Sequence, residues 1–254
     1  MGPKRPVTSY SSAILGLRYE QFGVVVWVYK QCRDARCKPS DGGCYPRIDG
    51  PQVGMNFELA ELTSEFAVAL QAADARQPVA QNARSKKNFQ PGIGPHSESL
   101  ALALILRELV SLHPEKYTAY ETSVSYPGTK QKCDLCFGAA SSWDWAIEVK
   151  LIRFSGDNDK PNDHMLMHML SPYPEHRSAI TDLDKLNAWA DPKRKAILIY
   201  GFEHQRWPLE PTIEAFEVLA KSRSHLSGRY ECNFSGLIHP VHSSGAVVAW
   251  EILP

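Results

Sequence analysis

Residues 130–154 read KQKCDLCFGAASSWDWAIEVKLIRF, and the prediction of the fold starts from this stretch. Two apolar runs, 133–137 and 145–154, flank a link at 138–144 that is rich in Gly, Ala and Ser. Small residues of this kind allow the chain to reverse direction tightly, and short apolar runs on either side are typical of paired strands. The stretch therefore predicts a β-hairpin.

Charged residues lie inside both predicted strands. Side chains on a strand point alternately to opposite faces, so Glu148 and Lys150 are neighbours on one face of the second strand. Asp134 lies in the partner strand. Two carboxylates that converge from adjacent strands offer oxygen ligands for Mg²⁺ or Mn²⁺, and a lysine beside them can hold or help deprotonate a metal-bound water. The alternative is a buried Glu–Lys pair, or an edge strand whose charges face water.

The spacing of these residues resembles a nuclease motif. Asp134, thirteen intervening residues and then Glu148-Val149-Lys150 are similar to the PD-(D/E)xK motif of many restriction endonucleases and repair nucleases, although Cys133 stands where that motif often has Pro. In that superfamily the Asp opens the second strand of the core and the triplet lies on the third. The resemblance implies that Asp134 and Glu148 hold Mg²⁺ or Mn²⁺ and that Lys150 is catalytic.

A third acid precedes the hairpin on a predicted helix at residues 97–112, for which Ser97 is a plausible N-cap and Pro114 a stop signal. Glu98 lies on the same helical stripe as Leu102, Ile105 and other apolar residues, at the first turn. An acid at a helix N-terminus is stabilised by the helix dipole, which is one explanation for Glu98. The resemblance implies another, because PD-(D/E)xK enzymes often carry a catalytic, metal-binding Glu on this helix.

The remaining pattern predicts an α/β fold with a mixed central sheet flanked by helices. Further strands are predicted at 117–126, 196–202 and 245–253, and further helices at 57–75, 181–191 and 211–222, with Thr181 as the cap of the second of these. The resemblance extends over roughly residues 97–203 and implies a restriction-endonuclease-like core. We expect residues 1–90 to form an N-terminal extension or subdomain and 91–254 to form the nuclease domain.

Charge composition limits how the chain could bind nucleic acid. The 254 residues contain 28 Lys and Arg and 28 Asp and Glu, so the net charge is zero. A strong non-specific nucleic-acid binder would more often be basic, so contacts with DNA must come from local patches. A predicted loop at 76–96 carries Arg84, Lys86 and Lys87, which are candidates for phosphate contacts; the alternative is an ordinary solvated surface.

The cysteines and the N-terminal part suggest the cellular compartment. Six cysteines without a secretory signal favour free thiols in a reducing, cytoplasmic environment, and no apolar run reaches the roughly 18 residues of a membrane span. Cys32, Cys37 and Cys44 lie in a Gly- and Pro-rich loop and could form part of a zinc site, or be unpaired loop cysteines. Residues 22–29 favour a strand, with a buried helix as the alternative.

These observations leave two classes of function open. The first is a divalent-metal-dependent DNA endonuclease, such as a restriction or DNA-defence enzyme, with a homodimer as a possible assembly. The second is a non-catalytic accessory or binding protein that keeps the nuclease fold. The presence of Asp134, Glu148 and Lys150 together favours the first class.

Overall fold

A computed structural model describes residues 57–140, 142–162 and 164–254 as six strands and five α-helices. The helices are α1 (Leu59–Ala75), α2 (Glu98–Leu112), α3 (Met165–Leu170), α4 (Ala179–Ala188) and α5 (Glu210–Lys221). The strands are β1 (Tyr120–Ser125), β2 (Lys132–Ala139), β3 (Ser142–Ile152), β4 (Arg194–Phe202), β5 (Tyr230–Ser235) and β6 (Ser244–Ile252). The predictions for residues 22–29 and for zinc at Cys32, Cys37 and Cys44 lie outside the described residues.

The six strands form one mixed sheet in the order β1-β2-β3-β4-β6-β5. β3 and β4 are parallel, and every other neighbouring pair is antiparallel. Parallel neighbours need a long connection, and here it contains α3 and α4. The predicted hairpin and the α/β class with a helix-flanked mixed sheet are confirmed. A restriction-endonuclease-like core remains a prediction.

Each face of the sheet is covered by helices, and β3 shows why. Its residues alternate: Trp145, Ile147 and Val149 belong to the core beneath α1 and α2, whereas Ala146 and Ile152 belong to the core beneath α3, α4 and α5. A strand that is buried on both faces must be apolar at almost every position. Charged side chains in such a strand therefore need specific partners, and Glu148 is only 1% exposed.

Two details of the sequence-based assignment differ from the structure. The N-cap of α4 is Ser178, whose hydroxyl accepts a hydrogen bond from the Thr181 backbone N–H, so Thr181 as the cap is wrong. The strand β5 was not predicted, although its sequence YECNFS alternates apolar and polar residues as a half-exposed strand does.

The domain division at residue 90 remains a prediction, although α1 shares a continuous core with α2 and the sheet. Within the described ranges, none of the helices combines the length and the apolar character that a membrane span requires. The described cysteines, Cys133, Cys136 and Cys232, are all free thiols.

Close backbone packing between β4 and β6 leads to a first prediction. A methyl group added at Gly245 would overlap the backbone carbonyl oxygen of Gly201 and the Phe234 ring. Because the carbonyl lies within the sheet and cannot move aside, we expect Gly245→Ala to lower the free energy of unfolding by about 2–3 kcal/mol, measured by urea unfolding. Gly228→Ala is the control, since a methyl there meets nothing within 4 Å, and should change stability by about 1 kcal/mol or less. Equal losses for both variants would contradict this packing.

Candidate functional site

A cleft of about 820 Å³ lies where β2, β3, α2 and α4 meet, and we call it the acidic cleft. Glu98, Asp134, Glu148 and Lys150, the four residues singled out in the sequence, all line it. They come from α2, β2 and β3, and the two strands are neighbours in the sheet. The structure therefore brings all four together.

Two of the acids accept hydrogen bonds from the backbone of β3 in the part of that strand where β2 no longer pairs with it. The ladder between β2 and β3 runs from the pair Ala139–Ser142 to the pair Leu135–Ile147. Farther along β3, the Val149 N–H donates to Asp134 Oδ2 at 3.0 Å and the Leu151 N–H donates to Glu98 Oε2 at 2.7 Å. Hydrogen bonds from backbone amides fix the orientation of both carboxylates at the point where the sheet opens.

Glu148 is one of the two almost fully buried acids of the cleft. Its Oε1 accepts a hydrogen bond from the Tyr126 hydroxyl at 2.5 Å and lies 3.1 Å from Lys185 Nζ. Burial raises the pKa of Glu148 well above its ordinary value, and the negative charges of Asp182 and Asp134 raise it further. Glu148 therefore lies in the electric field of two other carboxylates of the cleft.

Lys150 is held between acids. Its Nζ lies 2.6 Å from Asp182 Oδ2 and 3.9 Å from Glu98 Oε1. Burial lowers the pKa of Lys150, but the charges of Glu98, Asp182 and Asp134 outweigh burial and raise the pKa above its ordinary value. Lys150 is therefore an ammonium ion at neutral pH, which can donate hydrogen bonds and stabilise negative charge but does not act as a base.

Sequence reasoning missed three members of this network: Tyr126, Asp182 and Lys185. Asp182 is 1% exposed and forms ion pairs with two lysines of the cleft. Its Oδ2 lies 2.6 Å from Lys150 Nζ, and its Oδ1 lies 2.5 Å from Lys185 Nζ. The two α4 residues are three positions apart, which places them on one helix face beside the buried Leu183 and Leu186. Charged residues three positions apart on an otherwise apolar helix face could have predicted that Asp182 and Lys185 are buried with specific partners.

The charges of the cleft suggest how a divalent cation would fit. The whole lining has five carboxylates (Glu98, Asp134, Glu148, Glu175 and Asp182) and six basic side chains (Lys130, Lys132, Lys150, Arg153, Arg177 and Lys185), so six positive charges minus five negative charges leaves +1 when all are ionised. The acids Glu98, Asp134, Glu148 and Asp182 with the lysines Lys150 and Lys185 form an inner group, in which four negative charges minus two positive charges leaves −2. Burial raises the pKa of Glu98, Lys150 lowers it, and Asp134 raises it again, with a net increase. A divalent cation bound among these carboxylates would offset the repulsion between their negative charges. Among the described residues, however, no group of three or more His, Cys, Asp or Glu side chains is arranged to hold a metal ion.

The predicted phosphate-contacting residues lie elsewhere. Arg84, Lys86 and Lys87 are exposed in a tight loop in which Asn82 Oδ1 accepts the backbone N–H groups of Arg84 and Ser85, and they do not line the acidic cleft. Their binding role remains a prediction. Basic side chains that do line the cleft were missed: they are Lys130, Lys132, Arg153, Arg177 and Lys185. Lys130, Lys132 and Arg153 belong to the same 130–154 stretch as the motif, so their closeness in sequence could have predicted that they lie near the site.

Comparison with known proteins gives no relative from which a role could be transferred. No family model matches the chain, and no curated protein or solved structure matches it significantly. The similarity to PD-(D/E)xK nucleases therefore remains a resemblance of Asp134, Glu148 and Lys150 and of the order of the elements around them.

Proposed function

We propose that this protein is a divalent-metal-dependent nuclease that hydrolyses phosphodiester bonds in DNA. The observation that carries the proposal is the convergence of Glu98, Asp134, Glu148 and Lys150 on one cleft, with Asp134 and Glu98 oriented by backbone amides of β3. The element order α2-β1-β2-β3-α3-α4-β4 also supports it, since Glu98 lies on the helix before these strands, Asp134 on the second strand and Glu148 and Lys150 on the third, as the PD-(D/E)xK resemblance implies. A homodimer and a cytoplasmic location remain part of the proposal.

Each residue of the cleft would have a distinct task. Asp134, Glu98 and Glu148 would hold Mg²⁺ or Mn²⁺, and a bound ion of this kind supplies Lewis acidity and lowers the pKa of its water. Lys150, kept protonated, would donate hydrogen bonds to the attacked phosphate and stabilise the charge that grows on it. Asp182 positions the Lys150 ammonium, whereas Tyr126 and Lys185 position Glu148.

One observation favours a second candidate, a non-catalytic accessory or binding protein. Lys150 and Lys185 are both engaged with Asp182, and Lys185 also with Glu148, which together form a closed ion-pair network. Such a network can serve stability or specificity of the fold alone. The two candidates differ in whether adding a divalent cation produces cleavage.

A metal-titrated cleavage assay tests the proposal directly. We expect the wild-type protein to nick supercoiled plasmid or to cut single-stranded DNA with Mg²⁺ or Mn²⁺, and to stop when EDTA is added. Asp134→Asn should lose both Mg²⁺ binding by calorimetry and cleavage, by about 10²-fold or more, because it removes a charged ligand. Glu121→Gln, an exposed acid on β1, is the matched control and should behave as wild type. A folded wild type that neither binds a divalent cation nor nicks DNA would refute the nuclease.

A further inference from the structure

A second cavity, which we call the side pocket, adjoins the acidic cleft and is not used by the proposed chemistry. Its volume is about 630 Å³, within the range of small-molecule sites. Gln131, Arg177 and Lys185 line both cavities and so form the boundary between them. A ligand that occupied the side pocket would thus lie next to the cleft.

Five of the fourteen residues that line the side pocket carry rings, including the largely buried Tyr126 and Trp189. Tyr126 and Trp189 pack edge to face there, with ring centroids 5.0 Å apart and an interplanar angle of 66°. The rings of Pro127, Pro172 and Pro174 complete the apolar wall. Flat apolar walls of this kind accept a planar ring, and aromatic side chains are the usual platforms for nucleic-acid bases.

Charged groups of both signs lie at defined places around these rings. Arg177 and Lys185 stand at the boundary with the acidic cleft, where a phosphate attached to a base in the pocket would lie. Asp184 and Asp191 line the pocket itself, and Asp191 Oδ2 accepts the Trp189 indole N–H at 3.2 Å. Each carboxylate has a second oxygen that can accept a hydrogen bond from an exocyclic amino group of a base.

Tyr126 connects the side pocket to the proposed site. Its ring lines the pocket, and its hydroxyl donates to Glu148 Oε1 in the acidic cleft at 2.5 Å. Lys185 Nζ lies 5.3 Å from the centroid of the same ring and 3.1 Å from Glu148 Oε1. A base against Tyr126 is therefore separated from a cleft acid by one side chain.

We infer that the side pocket binds the base of an unpaired nucleotide whose phosphate lies at the acidic cleft, and that it prefers bases with an exocyclic amino group. The inference rests on the proposed function, because that function makes a DNA strand the ligand of the cleft. It adds a substrate class: DNA with a nucleotide that is already unpaired or can be unstacked, since placing a paired base in the pocket would require breaking its stacking and pairing.

The test measures nucleotide binding without turnover. Calorimetry of the full chain in EDTA would compare dAMP, dTMP and inorganic phosphate, and we expect dAMP to bind more tightly than both. Ala188→Phe and Ala190→Phe add a ring at exposed positions that line the pocket and should each weaken dAMP binding by about tenfold, because the added ring fills the space that the base needs for its contact with the aromatic wall. Ala75→Phe, an exposed alanine at the end of α1 that lines neither cavity, is the control and should bind dAMP as wild type does.

The outcomes separate this inference from the nuclease proposal. If dAMP binds no more tightly than phosphate, or if both filled variants bind it as wild type does, the base pocket is refuted whatever the cleavage assay shows. Equal binding of dAMP and dTMP would refute the preference for an amino group. If dAMP binds, and the filled variants weaken it, in a protein that never nicks DNA, the pocket is supported and the nuclease is refuted.

Discussion

Lys150→Ala is expected to reduce DNA cleavage by about 10²–10³-fold while leaving Mg²⁺ affinity at least as strong as in wild type. The ammonium is held in place by Asp182 and lies on the same strand face as Glu148, so its loss removes a positioned hydrogen-bond donor from the proposed reaction. Removing a positive charge from a cleft lined by five carboxylates does not weaken cation binding. Single-turnover nicking rates and calorimetry on the same preparation measure the two quantities separately.

Lys132→Ala is the matched control for this variant. Lys132 lines the same cleft but is exposed at the start of β2, so its replacement removes one positive charge without removing a buried ion pair. We expect a weaker, salt-dependent effect on DNA binding and little change in the rate at saturating DNA. If both variants nick at the same rate, Lys150 contributes only general positive charge and the catalytic role is wrong.

Asp182→Ala is expected to lower the free energy of unfolding by about 3 kcal/mol, which corresponds to a melting temperature lower by roughly 10 °C for a domain of this size. Asp182 lies 2.6 Å from the Lys150 ammonium and 2.5 Å from that of Lys185. Without it, Lys150 would keep only Glu98, at 3.9 Å, and Lys185 would keep Glu148. Removing one partner from a buried ion pair costs more than removing both, because a buried charge loses its compensation.

Asp184→Ala provides the comparison, on the same helix and with the same change of side chain. Asp184 is paired with Arg223 at 2.6 Å, but its side chain is 46% exposed, and such surface pairs contribute about 1 kcal/mol or less. Thermal and urea unfolding of both variants in EDTA would measure the difference. Equal stability losses would mean that the ion pairs of Asp182 are not formed in solution, and the arrangement of Lys150 would then need revision.

The amino-acid sequence by itself determined the local parts of this site. Alternation along a strand is a property of the backbone, so the common face of Glu148 and Lys150 follows from the assignment of one strand. The same holds for Glu98, which lies on the apolar stripe of α2 because residues three and four apart on a helix share a face. The hairpin was equally predictable, since its turn and both strands are contiguous.

Only the tertiary structure decided which partners these residues meet. The parallel pairing of β3 with β4 requires a crossover, and the crossover lays α4 over the cleft so that Asp182 and Lys185 reach Lys150 and Glu148. Beyond the end of the β2–β3 ladder, backbone N–H groups of β3 donate hydrogen bonds to the carboxylates of Asp134 and Glu98. Burial then sets the charge states, because the pKa of Lys150 depends on acids that come from three separate elements. Contacts between residues far apart in the chain have no periodic signature, whereas strand and helix faces do.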